Sequence, residues 1–149
     1  MIALVQRVSE ASVTVEGSLT GSIGTGMLIL LGVHRDDTEK ELEWVARKCL
    51  NLRIFNDDEG KMNRSINDIG GEILIVSQFT LYGNTRKGNR PSFIDSAGEK
   101  TARPLYEAFI NRLEQRAPGS IQTGEFGAMM NVHLVNDGPV TLWVEKQPI

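Results

Sequence analysis

An uninterrupted apolar run at 27–33 gives the first indication of the fold, and it reads Met27-Leu28-Ile29-Leu30-Leu31-Gly32-Val33. A run of this length is typical of a strand that is buried on both faces of a sheet. A membrane-spanning helix needs about 20 apolar residues, so this run is too short to cross a bilayer. The pattern therefore predicts a buried β-strand and no membrane segment.

Further strands are predicted before and after this run. In 1–16, the apolar residues Val13 and Val15 alternate with polar neighbours, which is the period of a half-buried strand. We predict two strands in 1–16, followed by a hairpin turn at 17–18. A second apolar run, at 73–76, predicts another buried strand that continues directly into a polar segment.

A first helix is predicted at 38–51. Thr38 and Glu41 have the spacing of a capping box, in which each side chain accepts a hydrogen bond from the other residue's main chain. The apolar residues that follow recur at helical spacing and place Cys49 on the buried stripe. We therefore expect Cys49 to be a core residue and not a reactive thiol.

A second helix is predicted at 101–116, where apolar side chains recur every four residues. Pro104 is expected to lie in its first turn, because a proline there removes no intrahelical hydrogen bond. Pro118 and Gly119 are expected to end the helix.

The C-terminal part predicts a hairpin, with strands at 129–135 and 140–145 and a turn at 136–139. Strands at both ends of the chain, with two helices between them, indicate an α+β or mixed α/β domain of layered β-sheets with two flanking helices. No linker or repeat interrupts the sequence, so we expect 1–149 to form a single domain.

The composition excludes several kinds of active site. The chain has one cysteine and two histidines, which cannot make an internal disulfide or a three-histidine zinc site, and we expect no metal and no cofactor. Sixteen Lys or Arg against nineteen Asp or Glu give a net charge of −3, the wrong sign for a general nucleic-acid binder. The N-terminus shows no signal-peptide pattern, so we expect a cytoplasmic protein.

The polar segment after 73–76 is a candidate ligand site. Ser77-Gln78-Phe79-Thr80 presents hydroxyls, an amide and main-chain N–H groups at the margin of a sheet, a combination that suits a polar ligand or an oxyanion. The alternative is an ordinary strand end, whose polar side chains satisfy the local backbone, and the residues alone favour that alternative.

Two more segments carry candidate residues. In Asn136-Asp137-Gly138-Pro139-Val140-Thr141, the Asp-Gly pair favours a tight turn. Only about 5–6% of X–Pro bonds in folded proteins are cis, so the local pattern favours a plain turn with a trans bond. A small basic loop carries Arg86, Lys87 and Arg90, which could hold a phosphate, although the bare pattern is more often that of a solvated loop.

Together these segments resemble the D-aminoacyl-tRNA deacylase family. The resemblance is carried by Met1-Ile2-Ala3-Leu4-Val5-Gln6-Arg7-Val8, by Ser77-Gln78-Phe79-Thr80-Leu81, by Asn136-Asp137-Gly138-Pro139-Val140-Thr141, and by Arg90-Pro91-Ser92-Phe93 and Gln122-Thr123-Gly124-Glu125-Phe126. The motifs follow the order and spacing of the family over essentially the whole chain.

The resemblance implies the fold of this family, a homodimer, and the aminoacylated acceptor end of tRNA as the substrate. The implied activity is hydrolysis of the ester between a D-amino acid and the terminal adenosine, and of glycine mischarged on tRNA. By position, the resemblance implies that the catalytic site is lined by Ser77, Gln78, Phe79 and Thr80, and that the terminal adenine is contacted by Phe126 and Met129.

The resemblance also implies an element that one subunit inserts into the pocket of the other. Gly138 and Pro139 would form this Gly-cisPro element, and Arg7 would help to hold it. The carbonyl groups of Gly138 and Pro139 would accept hydrogen bonds from the substrate ammonium. An L side chain of the substrate would then collide with the main chain of this element. A D side chain or a hydrogen atom would point to open space, which explains why glycine is not rejected.

The chemistry that the resemblance implies needs few side chains. An aminoacyl ester is already activated, so its hydrolysis requires a positioned water and stabilisation of the oxyanion, which N–H groups around Phe79 and Thr80 could supply. In the family, the ribose 2′-OH takes part in activating the water. No general base lies beside Thr80 in the sequence, which argues against Thr80 as a nucleophile.

Two other interpretations stay open at this point. A non-catalytic nucleic-acid-binding dimer with the same fold is favoured by the basic loop and disfavoured by the net negative charge. A relative with a trans Gly138–Pro139 bond and relaxed chirality would be distinguished by the isomer of that bond.

Overall fold

The computed structural model describes residues 1–117 and 119–149. Their order along the chain is β1 (Ile2–Val15), β2 (Ser18–Ile23), β3 (Gly26–Gly32), α1 (Glu39–Asn51), β4 (Phe55–Asn56), β5 (Met62–Arg64), α2 (Ile66–Ile69), β6 (Glu72–Ser77), a 3-10 helix (Phe79–Tyr82), α3 (Glu99–Arg116), β7 (Ile121–Thr123) and β8 (Asn131–Glu145). The predicted mixture of strands and helices is confirmed, and sheet dominates it.

One six-stranded sheet contains most of the strands, in the order β2-β1-β3-β6-β7, with β8 paired to the other edge of β1. The apolar run that predicted a buried strand is β3, which is confirmed. It pairs antiparallel with β1 and parallel with β6, and six of its seven residues are buried. β6 then pairs parallel with β7, so the carboxyl ends of β3, β6 and β7 all lie at the same end of the sheet.

The N-terminal segment is a single strand, and the prediction of two strands there was wrong. β1 runs unbroken for 14 residues because β8 pairs with it from end to end, while its other edge pairs first with β3 and then with β2. The hairpin to β2 turns at Glu16 and Gly17, whose φ angles are +50° and +79°, one residue earlier than predicted.

The C-terminal segment is also a single strand, and the predicted hairpin was wrong. Both halves of β8 pair antiparallel with β1, so the chain does not reverse at 136–139. Asn136 lies opposite Val8 and Thr141 opposite Gln6, so that 137–140 bulge out of the ladder. The physical reason is that Pro139 has no N–H to donate to a ladder, so the segment leaves the strand without ending it.

Helix α1 begins as the capping box predicted. The Thr38 hydroxyl accepts a hydrogen bond from the N–H of Lys40 at 3.3 Å, and the Glu41 carboxylate accepts one from the N–H of Thr38 at 2.8 Å. Cys49 is 1% exposed, and burial raises its pKa to about 12, so its prediction as an unreactive core residue is confirmed.

Helix α3 begins at Glu99, two residues before the predicted start. Pro104 therefore lies beyond the first turn, which corrects that prediction. Pro104 is exposed to solvent, where water can hydrogen-bond to the carbonyl that the missing proline N–H leaves without a donor. The helix ends at Arg116, and of the predicted stop signal, Pro118 lies outside the described residues. The prediction of two flanking helices missed α2, which is a single turn.

Apolar side chains cover both faces of the large sheet. Ile29 of β3 and Ile75 of β6 face a core that includes Leu42 of α1 and Phe109 of α3. The opposite face buries a smaller cluster formed by Val8, Ala11, Val13, Ile23, Leu28, Leu74 and Val76. Within 1–117 and 119–149, no helix is both long and apolar enough to cross a membrane.

A buried ion pair joins the two ends of the chain to the segment before α1. The Met1 ammonium donates to Asp37 Oδ1 at 2.8 Å and to the carbonyl of Lys146 at 2.8 Å. The other carboxylate oxygen of Asp37 accepts from the N–H of His34 at 2.7 Å. Burial lowers the pKa of the Met1 amino group and raises the pKa of Asp37, because both charges are removed from water.

Replacing Asp37 with Ala is expected to destabilise the fold by about 3–5 kcal/mol near neutral pH, because the Met1 ammonium would stay buried without a partner. The loss should shrink above pH about 8, where the amine gives up its proton in the unfolded chain as well. It should also shrink at acid pH, because burial raises the pKa of Asp37 and the parent itself then loses the carboxylate charge. Urea unfolding across this pH range measures it.

The matched control for this prediction is Asp36→Ala, which removes a neighbouring carboxylate that is 67% exposed. That variant should change the free energy of unfolding by less than about 0.5 kcal/mol. Equal losses in the two variants would show that the Met1–Asp37 pair does not support the fold.

Candidate active site

The polar segment predicted as a site lies where β6 ends. Ser77 is the last residue of β6 and is paired with Leu31 of β3, and the N–H of Gln78 donates to the carbonyl of Leu31 at 2.8 Å. The chain then forms the 3-10 helix, which begins with Phe79 and Thr80. A parallel strand that ends here presents its following residues at the sheet margin, where sites of α/β proteins commonly lie.

A cavity of about 620 Å³ opens at this margin. Its wall comes from the end of β6, the 3-10 helix, the first turns of α3, and the segment that leads into β8. The structure brings six of the sequence candidates together around it, namely Ser77, Gln78, Phe79, Thr80, Phe126 and Met129.

The cavity also has wall residues that the sequence did not single out. Glu99 and Ala102 of α3 and Ser96 before it line the cavity, beside the apolar Val33 and Val76. Because sixteen residues of chain separate the 3-10 helix from α3, no local pattern pointed to this contact. The cavity wall is therefore mostly apolar, with a cluster of polar groups at the end of β6.

Few groups in the cavity can transfer a proton. Among the described residues that line it, Glu99 is the one with an ionisable side chain, and its carboxylate accepts hydrogen bonds from Arg103 at 2.8 and 3.1 Å. The side-chain amide of Gln78 donates to the hydroxyl oxygen of Thr80. The structure thus agrees with the sequence in placing no free base beside Thr80.

Phe126 is held against α3 by two neighbours. The guanidinium of Arg103 lies 4.6 Å from the centre of its ring, and the ring of Tyr106 lies 5.5 Å away. Tyr106 is itself fixed, because its hydroxyl donates to the carbonyl of Ile75 at 3.2 Å. By contrast, Met129 is 92% exposed. One wall of the cavity is therefore rigid and aromatic, while another is a flexible thioether.

The remaining candidates, Arg7, Gly138 and Pro139, lie at the opposite end of the sheet. Arg7 pairs with Met27 near the start of β3, which lies beside the start of β6. Along β6, that end is about 16 Å from Ser77, and β8 is about 14 Å from β6 across three strand spacings. The bulge therefore cannot reach the cavity of its own chain.

Arg7 fixes the bulge from inside the fold. It is 7% exposed, and its Nε donates to the carbonyl of Asp137 at 3.1 Å while Nη1 donates to the carbonyl of Ile54 at 2.7 Å. Gly138 has a φ of +104°, and a Cβ there would lie 2.0 Å from Arg7 Nη2. Only glycine fits this position, for both reasons.

The side chain of Asn136 closes the gap that the bulge leaves in the ladder. Its Nδ2 donates to the carbonyl of Arg7 at 2.9 Å and to the carbonyl of Val140 at 3.0 Å. The sequence indicated only a turn residue at this position. Asn136 instead replaces main-chain donors and allows one strand to continue on both sides of 137–140.

The peptide bond between Gly138 and Pro139 is trans, as are the other bonds of the described residues. This corrects the cis bond that the family resemblance implied, while the local expectation of a trans bond holds. The trans isomer is favoured by about 0.5–1 kcal/mol in X–Pro bonds. Arg7 and Asn136 donate to the carbonyls of Asp137 and Val140, on either side of that bond.

Comparison with known proteins identifies relatives over nearly the full length. A family model described as D-Tyr-tRNA(Tyr) deacylase matches residues 4–145. A Salinibacter ruber protein named D-aminoacyl-tRNA deacylase is 57% identical over 147 residues, covering 99% of this chain and 98% of that protein. A Roseiflexus castenholzii protein of the same name is 61% identical over 146 residues, covering 98% of this chain and 92% of that protein.

Two solved structures share the fold. One, described as c-Myc DNA Unwinding Element Binding Protein, is 47% identical, with a TM-score of 0.94 and 99% of both chains covered. The other, described as a probable eukaryotic D-amino acid tRNA deacylase, is 20% identical, with a TM-score of 0.79 over 96% of this chain and 97% of its own. The second match shows the fold alone.

Removing the side chain of Asn136 tests its part in holding the bulge. Asn136→Ala leaves the carbonyls of Arg7 and Val140 without that donor, and we expect a loss of roughly 1–3 kcal/mol in the free energy of unfolding. Asn131→Ala, at the exposed start of β8, should cost less than about 0.5 kcal/mol. Denaturant titration compares them, and equal values would contradict the bridging role.

Proposed function

This chain belongs to the D-Tyr-tRNA(Tyr) deacylase family, and we propose that it hydrolyses the ester between a D-amino acid and the terminal adenosine of tRNA. The products are the free D-amino acid and tRNA. The observation that carries this proposal is the cavity at the end of β6, where Ser77, Gln78, Phe79 and Thr80 meet the Phe126 ring. Its size suits an aminoacylated nucleoside.

Main-chain groups supply the stabilisation that this reaction needs. Phe79 and Thr80 begin the 3-10 helix, so their N–H groups have no intrahelical partner, and within the described residues neither donates a hydrogen bond. Water attacks the ester carbonyl, and the negative charge that develops on the carbonyl oxygen is stabilised by donors of this kind. Collapse of the intermediate breaks the ester C–O bond, and the 3′-oxygen of the adenosine takes a proton.

The proposal gives Thr80 a binding role and not that of a nucleophile. A nucleophilic hydroxyl needs a base to accept its proton, and among the described lining residues the cavity offers only Glu99, whose carboxylate is bound by Arg103. The amide of Gln78 donates to the Thr80 oxygen, so the hydroxyl proton remains available to the substrate. The neighbouring ribose 2′-OH then helps to activate the attacking water.

The adenine of the terminal nucleotide is proposed to stack on Phe126. Arg103 and Tyr106 already fix this ring, so stacking requires little further ordering. Met129 is almost fully exposed and adapts its shape to the opposite side of the base.

A complete site is proposed to form only in a homodimer. β8 pairs with β1 alone among the described strands, and it exposes Val135, Leu142 and Trp143 along its length. A long edge strand with apolar side chains is a surface that proteins normally cover. A second copy covering it would also carry the bulge at 137–140 toward the cavity that the bulge cannot reach in its own chain.

Selection against L-amino acids follows from main chain in this arrangement. The bulge is fixed by Arg7 and presents Gly138 and Pro139 as an inflexible wall. An L side chain directed at that wall would overlap it, whereas a D side chain or a hydrogen atom would not. Glycine has no side chain that could overlap the wall, so we propose that glycine mischarged on tRNA is also a substrate.

The test of the activity compares esters that differ only in chirality. With D-tyrosyl-tRNA and L-tyrosyl-tRNA, we expect release from the D ester to be at least about 100-fold faster, as a clash of about 3 kcal/mol would give. Glycyl-tRNA should react as well. Rates are read against spontaneous hydrolysis without protein.

Absence of D activity above background would contradict the proposed function. Equal rates on the two tyrosyl esters would contradict selection by the main-chain wall and favour the relative with a trans Gly138–Pro139 bond and relaxed chirality. Tight and salt-dependent binding of duplex nucleic acid without any release of amino acid would favour the non-catalytic interpretation instead.

The test of the shared site mixes two defective variants. Ser77→Phe fills the cavity, and Gly138→Val displaces the bulge from Arg7, so each variant alone should be inactive. If the two variants are refolded together and pair at random, half of the dimers are mixed. A mixed dimer has one intact site, in which the open cavity of one copy meets the intact bulge of the other. The mixture should therefore have about a quarter of the parent activity. Activity that does not exceed that of the separate variants would show that the site lies within one chain.

A further inference from the structure

The loop at 84–92 carries an uncompensated positive charge. It contains Arg86, Lys87 and Arg90 and no acidic residue, while the rest of the chain has thirteen basic and nineteen acidic residues. All three side chains belong to exposed residues. Among the described residues, none of them lies within 4.0 Å of a carboxylate, although most arginines outside the loop form ion pairs.

Hydrogen bonds within the loop give its backbone a defined conformation. Asn84 and Ser92 exchange two main-chain hydrogen bonds of 2.8 and 2.9 Å, which close its base. The N–H of Arg86 donates to the Asn84 side chain at 3.0 Å, and Gly88 turns the tip with a φ of +61°. A loop that is ordered beforehand loses less conformational entropy when it binds a ligand.

The base of the loop packs against the proposed active site. The ring of Phe93, just after the loop, lies 5.1 Å from the ring of Phe79 in an edge-to-face contact. Gly83 lies so close that a Cβ there would be 3.0 Å from both Phe93 and the Thr80 carbonyl. Lys87 is seven residues from Thr80, so the two are at most about 25 Å apart.

Beside the cations, the loop encloses a hollow of about 390 Å³ lined by Asn84, Arg86, Lys87 and Ser92. Guanidinium, ammonium, amide and hydroxyl groups together are the donors that bind phosphate oxygens. We propose that this basic loop binds the phosphodiester backbone of the nucleotides that lead to the terminal adenosine of tRNA. This inference rests on the proposed function, because it places a second contact for the same substrate.

The proposal explains how an acidic protein engages RNA. Phosphate contacts fix the register of a strand and carry no base sequence, so the loop would position the acceptor ends of different tRNAs alike. The excess of acidic residues elsewhere would repel the remainder of the tRNA, which limits binding to the acylated end and favours release of the product.

The experiment compares two triple variants on two substrates. Arg86→Gln/Lys87→Gln/Arg90→Gln removes the loop charge, and Lys40→Gln/Arg47→Gln/Lys48→Gln removes the same charge from the exposed surface of α1. The substrates are D-tyrosyl-tRNA and D-tyrosyl-adenosine, which has the ester and the base but no phosphate. For each pair, kcat/KM is measured over a range of salt concentrations.

We expect the loop variant to lose roughly 10- to 100-fold in kcat/KM on D-tyrosyl-tRNA at about 50 mM salt, and its slope of log kcat/KM against log salt to fall by about 2. Its kcat/KM on D-tyrosyl-adenosine should match the parent. The α1 variant should match the parent on both substrates.

The proposal is overturned if the loop variant keeps the kcat/KM of the parent on D-tyrosyl-tRNA, or if it loses as much kcat/KM on D-tyrosyl-adenosine as on D-tyrosyl-tRNA. It is also overturned if the α1 variant loses as much kcat/KM on D-tyrosyl-tRNA as the loop variant does. If the parent hydrolyses neither ester, the proposed function fails, and binding of uncharged tRNA to parent and loop variant still decides the role of the loop. A loop variant that loses affinity for duplex DNA but binds tRNA as tightly as the parent would also overturn the proposal.

Discussion

Hydrogen bonding along both edges of β1 is the constraint on which the other parts depend. One edge pairs with β8 from end to end, and the other pairs with β3 and then with β2. β1 therefore sets the register of the strands on both sides. Through β3 it positions β6, whose end forms the cavity, and through β8 it positions the bulge at 137–140. A register change in β1 would move both.

The same strand explains why the bulge and the cavity cannot meet within one chain. Arg7 belongs to β1 and holds the bulge at one end of the sheet, while β6 runs from that end to the other before it reaches Ser77. The rigid β-ladder keeps this separation. The proposed homodimer would bring the bulge of one copy to the cavity of the other, which one chain alone cannot do.

Local patterns in the sequence predicted the elements whose determinants are local. The apolar run at 27–33, the capping box of Thr38 and Glu41, and the polar end of the strand at Ser77 all hold in the structure. Each of them depends on neighbours within a few residues. The structure also brings six of the site candidates to one cavity, although their places were inferred from a family resemblance and not from spacing.

The failures arose where distant strands decide the outcome. Asn136-Asp137-Gly138-Pro139 has every local mark of a turn, yet pairing with β1 on both sides makes it a bulge in one strand. The continuity of β1 depends on β8 in the same way. Ser96, Glu99 and Ala102 join the cavity only because α3 packs against the sheet, which no window of sequence shows.

The lining of the cavity has a consequence for how the rate of hydrolysis depends on pH. The Glu99 carboxylate is held by Arg103, and the described wall of the cavity contains no histidine or cysteine, since His34 and His133 lie elsewhere. The described wall therefore offers no imidazole or thiol to carry a proton during turnover. The pH profile of hydrolysis then reports the substrate's own ammonium and hydroxyl groups, and the protein serves as a template of fixed dipoles and not as a proton carrier.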